Sequence, residues 1–167
     1  MRTLLIGGAV GILILSLAAC SGSSTKSASE QTMQRQADLW AIDQIERNFH
    51  KATSTQDIRL MMSLWAPNAT FTLGPGKTLT GERQIRRFWR LEAPQFQPVN
   101  KWLSDTTAYK LRITANGERG TLYFECHYID VKTRKVVAIS GGDVEVARIN
   151  GRWLITDLVA ASPTLSR

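Results

Sequence analysis

The sequence predicts an α+β domain in which three helices pack on one curved antiparallel sheet. Its first half repeats apolar residues at helical spacing, whereas its second half alternates apolar and polar residues as strands do. Asn-Gly pairs at 116–117 and 150–151 are typical of two-residue hairpin turns between such strands. The predicted order is therefore α-α-β-α-β-β-β-β, with the helices ahead of an antiparallel meander.

Each of the three predicted helices begins at a capping signal. The first begins at a capping box over Ser27–Glu30 and continues through a series of apolar residues at three-to-four spacing: Ala37, Trp40, Ala41, Ile45, Phe49 and Ala52. The second begins at another capping box, Ser54–Asp57, continues through Trp65 and is stopped by Pro67. Thr80 caps the third, whose inward face is Ile85, Phe88 and Trp89.

Five strands are predicted from alternation and from the turns that bound them. The first covers Ala69–Leu73 and precedes a turn at 74–77. The remaining four cover 102–115, 118–130, 136–149 and 152–161. Together they give one sheet with helices on one side.

The N-terminal residues predict export and a lipid anchor. Arg2 supplies one positive charge, and Leu4–Leu17 is an apolar run of about 14 residues, too short to span a bilayer. The tetrad Leu17-Ala18-Ala19-Cys20 resembles the bacterial lipobox, in which the cysteine is acylated and becomes the mature N-terminus. The alternative is an ordinary secretory signal cleaved nearby, which gives the same compartment without the anchor.

The predicted organisation is a signal peptide over 1–19, a lipidated Cys20 with a flexible tether over 20–29, and one domain over 30–167. Residues 21–29 carry no apolar side chain larger than alanine and cannot join a core. Only Cys126 then remains as a thiol, so no intrachain disulfide is expected. Ser21, in place of an aspartate, favours the periplasmic face of the outer membrane where the host has two membranes. The net charge of +7 suits an anionic partner, but export argues against nucleic acid.

Three segments, 57–71, 81–89 and 150–155, resemble the SnoaL-like domains of the nuclear transport factor 2-like superfamily. The resemblance covers roughly residues 34–162 and implies a cone-shaped α+β barrel whose sheet and helices enclose a cavity. The same fold carries isomerases, dehydratases, cyclases, transport adaptors and binding-only domains, so function does not follow from it.

The resemblance also permits a check against enzymatic members. The general-base position of ketosteroid isomerase falls on Leu73 and its tyrosine position on Phe49, and neither side chain can perform the chemistry. Only Glu145 falls near the third position. Dehydratase-like members need two histidines in the sheet, for which this chain offers His127 alone. The known chemistries of the family are therefore not supported.

A cavity for a small apolar or amphipathic ligand is nevertheless implied, although core packing explains the same residues. The candidates for its lining are Phe49, Trp65, Leu73, Trp89, Trp102 and Tyr123. All five tryptophans, including Trp40 and Trp153, occupy core-like positions in the pattern.

Pairing the strands through their turns separates two faces of the sheet. The apolar face includes Leu122, Phe124, Val144, Val146 and Val159. The opposite face includes Leu158. It also carries four residues that could accept or donate protons: Glu125, His127, Asp143 and Glu145.

Burial predicts that the apolar face meets the helices, whereas the family alignment points Glu145 into the cone. One β-bulge would exchange the faces partway along a strand. The four residues are thus either a proton-handling cluster in the cavity or part of a solvated polar face.

A basic stripe on the third helix is the last feature that suggests a partner. Its members are Arg83, Arg86, Arg87 and Arg90. With Lys101 they either meet phospholipid head groups or another anionic envelope polymer, or they form an ordinary solvated face. No metal site or cofactor is predicted, and a homodimer through the sheet is compatible with the fold.

The sequence thus predicts an envelope lipoprotein that binds a small ligand or a protein partner without catalysis. An isomerase-, dehydratase- or cyclase-type enzyme and a structural adaptor are the alternatives.

Overall fold

The computed structural model describes residues 27–74, 76–93, 102–104, 110–130 and 132–160. Cys20 and the side chains of Trp102 and His127 lie outside the described residues. The helices are α1 (Ala28–Thr55), α2 (Ile58–Met62) and α3 (Gly81–Leu91). The strands are β1 (Trp65–Thr72), β2 (Thr78–Thr80), β3 (Trp102–Ser104), β4 (Lys110–Asn116), β5 (Arg119–Asp130), β6 (Val136–Ile149) and β7 (Arg152–Ala160). The predicted α+β class is confirmed.

Within the described residues the strands form one sheet in the order β2-β1-β7-β6-β5, with β3 and β4 both paired with β5. The predicted strand over 102–115 is divided into β3 and β4, which pair with successive parts of β5. The pairs are antiparallel, as predicted, except that β1 runs parallel to β7. The last strand therefore lies inside the sheet, between β1 and β6.

The start of α1 matches its predicted capping box. The Ser27 hydroxyl accepts from the Glu30 N–H at 3.3 Å, and the Glu30 carboxylate accepts from the Ser27 N–H at 2.7 Å. The helix begins at Ala28, two residues before the predicted start of the domain. Each of the two bonds satisfies a backbone N–H group that the start of the helix would otherwise leave unpaired.

The second predicted capping box is wrong. Residues 54 and 55 still belong to α1, which ends where Gln56 adopts a left-handed conformation with φ 54°. Asp57 is itself the N-cap of α2, and its carboxylate accepts from the Leu60 N–H at 2.9 Å. Thr80 does occupy the N-cap of α3 but makes no side-chain cap bond.

One face of the sheet is covered by the helices and forms the core. Ile42, Ile45 and Phe49 of α1 and Ile85 of α3 are at most 3% exposed. They share one buried cluster with side chains from the strands: Leu122, Phe124, Val144, Val146 and Ile155. The apolar face therefore meets the helices, as burial predicted.

A β-bulge at Thr156 exchanges the faces of β7. Val146 pairs with Ile155 and Glu145 pairs with Asp157, so Thr156 is the extra residue. Leu158 is consequently 1% exposed and Val159 is 43% exposed. The bulge considered from the sequence is present, and the predicted faces of these last two residues are the wrong way round.

Trp65 belongs to β1, not to the second helix as predicted. The Leu64 carbonyl accepts from the Ile155 N–H at 2.8 Å, which draws this backbone into the sheet. Because β7 supplies these bonds, the chain leaves the helix at Met62. The Trp65 side chain is buried, 5% exposed.

The N-terminal part of α1 extends beyond the sheet. The first buried residue of the helix is Asp38, ten residues after its start. Trp40, predicted to face the core, is 66% exposed, because the buried stripe of α1 runs instead through Ile42, Ile45 and Phe49. None of the helices in the described ranges is both long enough and apolar enough to cross a membrane.

Candidate functional site

Aromatic rings fill the interior between helices and sheet. The Phe49 ring packs edge-on against Phe124 at a centroid distance of 5.1 Å and against Trp89 at 5.4 Å. The Trp89 ring also stacks on the Phe71 ring at a centroid distance of 5.9 Å. The centroid of the Trp65 ring lies 5.3 Å from that of Phe71. Two predicted lining residues, Phe49 and Trp65, are thus core side chains, and Leu73 packs half-buried against this core.

A cleft opens where the C-terminal ends of α1 and α3 meet α2. Its volume is about 220 Å³. Its walls are Ala52, Thr53, Gln56, Asp57, Ile58, Met61, Trp89, Arg90, Leu91 and Ala93. Aliphatic and indole side chains share its lining with amide, carboxylate and guanidinium groups, so the cleft is polar as well as apolar. Of the predicted lining residues whose side chains the structure describes, Trp89 alone borders this cleft.

Two side chains of the cleft carry buried polar atoms without partners. The Thr53 hydroxyl and the Trp89 indole N–H are both inaccessible to solvent and form no hydrogen bond with the described residues. Thr32 and Thr55 of the same helix donate to the carbonyl four residues earlier, at 2.9 and 2.7 Å, but Thr53 does not. A buried polar group left unpaired costs about 1–3 kcal/mol. The cleft therefore offers hydrogen-bonding capacity beside apolar surface.

The pattern of the sequence did not single out Thr53. It lies one residue after a core position in α1, where threonine ordinarily bonds to its own helix. Its role depends on where α3 ends, which no local pattern reports. The Asp57 carboxylate in the same cleft caps α2, and so its position is fixed by a structural bond.

The predicted acidic residues lie on the uncovered side of the sheet. Asp143 and Glu145 are exposed, and their neighbours Val144 and Val146 are buried against the helices. The expectation that Glu145 points into the cone is therefore wrong. The acidic pair lines a groove of about 440 Å³ on the outer face, with Arg112, Thr114, Thr121, Tyr123, Asp157 and Val159 among its other residues.

Glu125 is the buried member of the predicted cluster. It is 8% exposed, and its carboxylate accepts a hydrogen bond from the Tyr123 hydroxyl. That bond, together with burial, raises the pKa of Tyr123 to about 12. The Arg112 guanidinium lies 4.2 Å above the Tyr123 ring. Tyr123 thus borders the outer groove and holds a carboxylate there.

The structure does not bring the four predicted residues to one enclosed site. Tyr123 pairs across the sheet with Asp143, and His127 pairs by its backbone with Ile139 further along β5. The described part of the chain contains no group of three or more histidine, cysteine, aspartate or glutamate residues arranged to hold a metal ion.

The predicted basic stripe is partly neutralised within α3 and its surroundings. Arg86 forms an ion pair with Glu82, and the Arg87 Nε lies 3.9 Å from the Glu92 carboxylate. Glu92 also pairs with Lys77 at 2.7 Å, which lowers the pKa of Glu92. Arg83 and Arg90 form no ion pair with the residues that the structure describes, and Arg90 borders the cleft.

A buried polar cluster joins α1 to the last hairpin. Arg148 donates to the Asp38 carboxylate, which also accepts from Gln34 at 2.9 Å and from the Trp153 indole at 3.4 Å. Asp38 is 6% exposed, and the Arg148 guanidinium lies 5.1 Å from the Trp153 ring. The residues of this cluster are distant in sequence from those of the cleft. Their bonds fix the position of α1 along the sheet.

Comparison with known proteins agrees with the fold described. A family model described as a SnoaL-like domain matches residues 46–154. No curated protein matches the sequence.

Solved structures resemble the chain at low identity. An NTF2-like protein with a cystatin-like fold from Novosphingobium aromaticivorans has a TM-score of 0.69 at 13% identity, covering 87% of this chain and 94% of its own. A type 2 hexachlorocyclohexane dehydrochlorinase gives 0.58 at 14%, covering 78% and 88%. The association domain of C. elegans CaMKII gives 0.59 at 14%, covering 77% and 98%. Likeness at these identities shows the NTF2-like fold alone.

Proposed function

This chain belongs to the SnoaL-like domain family, and we propose that it is a lipid-anchored protein of the bacterial cell envelope that binds a small amphipathic ligand without catalysis. The support for the anchor is the tetrad 17–20 after an apolar run. With Cys20 acylated, several buried acyl chains hold the protein on its membrane, on the periplasmic face of the outer membrane in a two-membrane host.

The observation that carries ligand binding is the cleft at the ends of α1 and α3. Its volume of about 220 Å³ exceeds the roughly 150 Å³ that holds a benzene ring and falls below the roughly 300–1,000 Å³ of drug-sized sites. Its apolar side chains, among them Ile58, Met61 and Leu91, suit a short hydrocarbon. The unpaired Thr53 hydroxyl and Trp89 indole N–H are inaccessible to solvent in this structure, so an acceptor oxygen at the head of that ligand reaches them only when neighbouring side chains of the cleft move aside. Arg90 at the same cleft favours an anionic head.

The placement of the carboxylates favours binding over chemistry. A general base must be within hydrogen-bond reach of the proton it takes. Among the residues described at the cleft, the one carboxylate is that of Asp57, which caps α2. Asp143 and Glu145 lie on the opposite, uncovered face, and the Glu125 carboxylate is bonded to Tyr123.

Octanoate is a suitable probe because it joins a short apolar chain to an anionic acceptor. We expect the purified chain to bind it saturably, with a change in tryptophan fluorescence at Trp89. Thr53→Val removes the hydroxyl without changing the shape of the side chain, and we expect about tenfold weaker binding. Thr55→Val is the matched control, because the Thr55 hydroxyl bonds to its own helix, and its affinity should be unchanged.

Two results would contradict the proposal. Absence of saturable octanoate binding would remove the cleft as an amphipathic site, and equal affinity of both threonine variants would remove Thr53 from it. The anchor is tested separately by the mass of the N-terminal peptide, which carries acyl chains on Cys20 if the proposal holds.

A further inference from the structure

An apolar stripe lies on the outward side of α1. Met33 and Trp40 are 64% and 66% exposed, and Ala37 between them is exposed as well. Residues separated by four and then three positions lie above one another on a helix. The stripe is diametrically opposite the buried positions Ile42 and Phe49, so the body of the domain cannot cover it.

The same line of the helix continues into cations. Continuing by steps of four, three and four residues gives Gln44, Arg47 and Lys51. Both basic side chains are exposed, but Arg47 forms an ion pair with Asp43 at 2.7 Å, so Lys51 is the cation that this line offers to a bilayer. No acidic residue stands on this line from 33 to 51. An apolar segment with tryptophan followed by cations is the composition of helices that lie on anionic bilayers. Tryptophan in particular favours the level of the lipid headgroups.

The chain that precedes α1 places this stripe close to a membrane. The helix begins at Ala28, and Cys20 is eight residues earlier. The tether predicted from the sequence for this segment would span about 14–17 Å by random-coil scaling. With a rise of 1.5 Å per residue, Met33 lies about 8 Å and Trp40 about 18 Å from the start of the helix. Both side chains are thus within reach of the surface that holds Cys20 when the helix lies along it.

We propose that the outward stripe of α1, residues Met33, Ala37 and Trp40, rests on the phospholipid bilayer to which Cys20 is anchored. Met33 and Trp40 enter the boundary between headgroups and acyl chains, and Lys51 meets anionic headgroups. The contact orients the domain, because the sheet and the cleft are attached to the other side of the same rigid helix. This proposal rests on the lipid anchor of the proposed function and is independent of the ligand cleft.

The test uses the full chain, processed in a bacterial host, extracted in detergent and reconstituted into vesicles of phosphatidylethanolamine and phosphatidylglycerol. Half of the samples contain lipids brominated near the top of the acyl chains, since bromine quenches an indole that touches it. We expect quenching of the wild-type fluorescence and loss of most of it in Trp40→Phe. Trp153→Phe is the matched control, because Trp153 is buried in the domain, and it should leave the quenching in place.

A second variant tests the contact itself while keeping the reporter. Met33→Glu places a carboxylate at the proposed bilayer contact, about two helical turns before Trp40, and quenching of Trp40 should fall. Circular dichroism should be unchanged in every variant of the stripe, since these side chains are exposed.

Equal quenching in the wild type and in Trp40→Phe would overturn the proposal. So would an unquenched Trp40 together with a sedimentation coefficient that drops in Trp40→Glu, which would assign the stripe to a contact with a second copy of the chain. The mass of the N-terminal peptide separates the two levels of failure. An acylated Cys20 with unquenched Trp40 removes the surface contact alone, and an unacylated Cys20 removes the anchor and the contact with it.

Discussion

Replacing Thr53 by valine should make the free protein more stable. The Thr53 hydroxyl is buried and makes no hydrogen bond with the described residues, so folding removes it from water without compensation. Valine has the same branched shape and nearly the same helix propensity, so no cavity is created. The substitution therefore removes a cost and adds none.

The magnitude follows from the desolvation of one hydroxyl. Mutational data place an unpaired buried polar group at about 1–3 kcal/mol, and we expect a gain of about 1–2 kcal/mol in the free energy of unfolding for Thr53→Val. For a domain of this size each kcal/mol shifts the melting temperature by roughly 2–4 °C, so an increase of about 2–8 °C is expected.

Urea unfolding followed by circular dichroism, without added ligand, measures this difference. Thr55→Val is the control in the same helix, where an exposed hydroxyl donates to the Lys51 carbonyl at 2.7 Å, and its stability should stay within about 0.5 kcal/mol of the wild type. A Thr53→Val protein less stable than the wild type would show that the hydroxyl has a partner, and would refute the reasoning. A variant that gains stability while losing affinity for octanoate would show that the hydroxyl serves binding at a cost to folding.

Three further predictions concern the sheet and its attachment to α1. The pKa of Tyr123 is raised to about 12, so its contribution to stability is complete below pH 10 and is lost as the pH rises toward 12. Tyr123→Phe should therefore flatten the fall in stability over this range in a pH series of urea unfolding. Parallel curves for the wild type and the variant would contradict the assignment. Gly141→Ala should destabilise the protein by more than about 3 kcal/mol, because residue 141 has a φ of 114° and a Cβ there would lie 2.4 Å from the Phe124 carbonyl oxygen. Gly74 has a φ of 99° but no atom within 4 Å of such a Cβ. Gly74→Ala should therefore cost only backbone strain of about 1–2 kcal/mol in the same assay. Asp38→Ala should cost about 2–3 kcal/mol, because the largely buried Arg148 guanidinium keeps only its longer ion pair, at 3.6 Å, with the exposed Glu118. Asp43→Ala, which breaks an ion pair on the surface of the same helix, should cost less than about 0.5 kcal/mol; equal costs would show that burial of the first pair is irrelevant.

The parts of the fold that local signals determine could be predicted from the sequence. The capping box at Ser27 and the two Asn-Gly turns depend on residues within four positions of one another, and the strands on either side of these turns end where predicted to within one residue. The cone-shaped arrangement of helices and sheet was predicted from the family resemblance, not from local signals.

The errors arise where contacts between distant parts of the chain determine the local structure. Trp40 fits a helical apolar series, but the tertiary contacts of α1 bury the stripe through Asp38, Ile42 and Phe49, and Trp40 lies on the opposite side of the helix. Leu158 and Val159 exchange faces because Thr156 bulges against β6, and no property of these residues announces a bulge. Trp65 is drawn from a predicted helix into β1 by the backbone of β7.

The cleft was hidden for the same reason. Thr53 is an ordinary helix residue in the sequence, and its importance lies in a bond it fails to make. The acidic residues attracted attention because carboxylates near a histidine suggest chemistry, but strand register places Asp143 and Glu145 on the uncovered face. Charge is visible in a sequence, whereas an unsatisfied hydrogen bond exists only in three dimensions.

The position of β7 has a consequence for the order of events in the life of the chain. This last strand lies between β1 and β6, and the Thr70 hydroxyl of β1 donates to an Asp157 carboxylate 87 residues later. Until residues 152–160 have been synthesised, β1 has no parallel neighbour and the sheet is split into two parts. Contacts of such long sequence separation form slowly. A ribosome-bound chain is therefore kept from completing its fold until residues 152–160 have been synthesised.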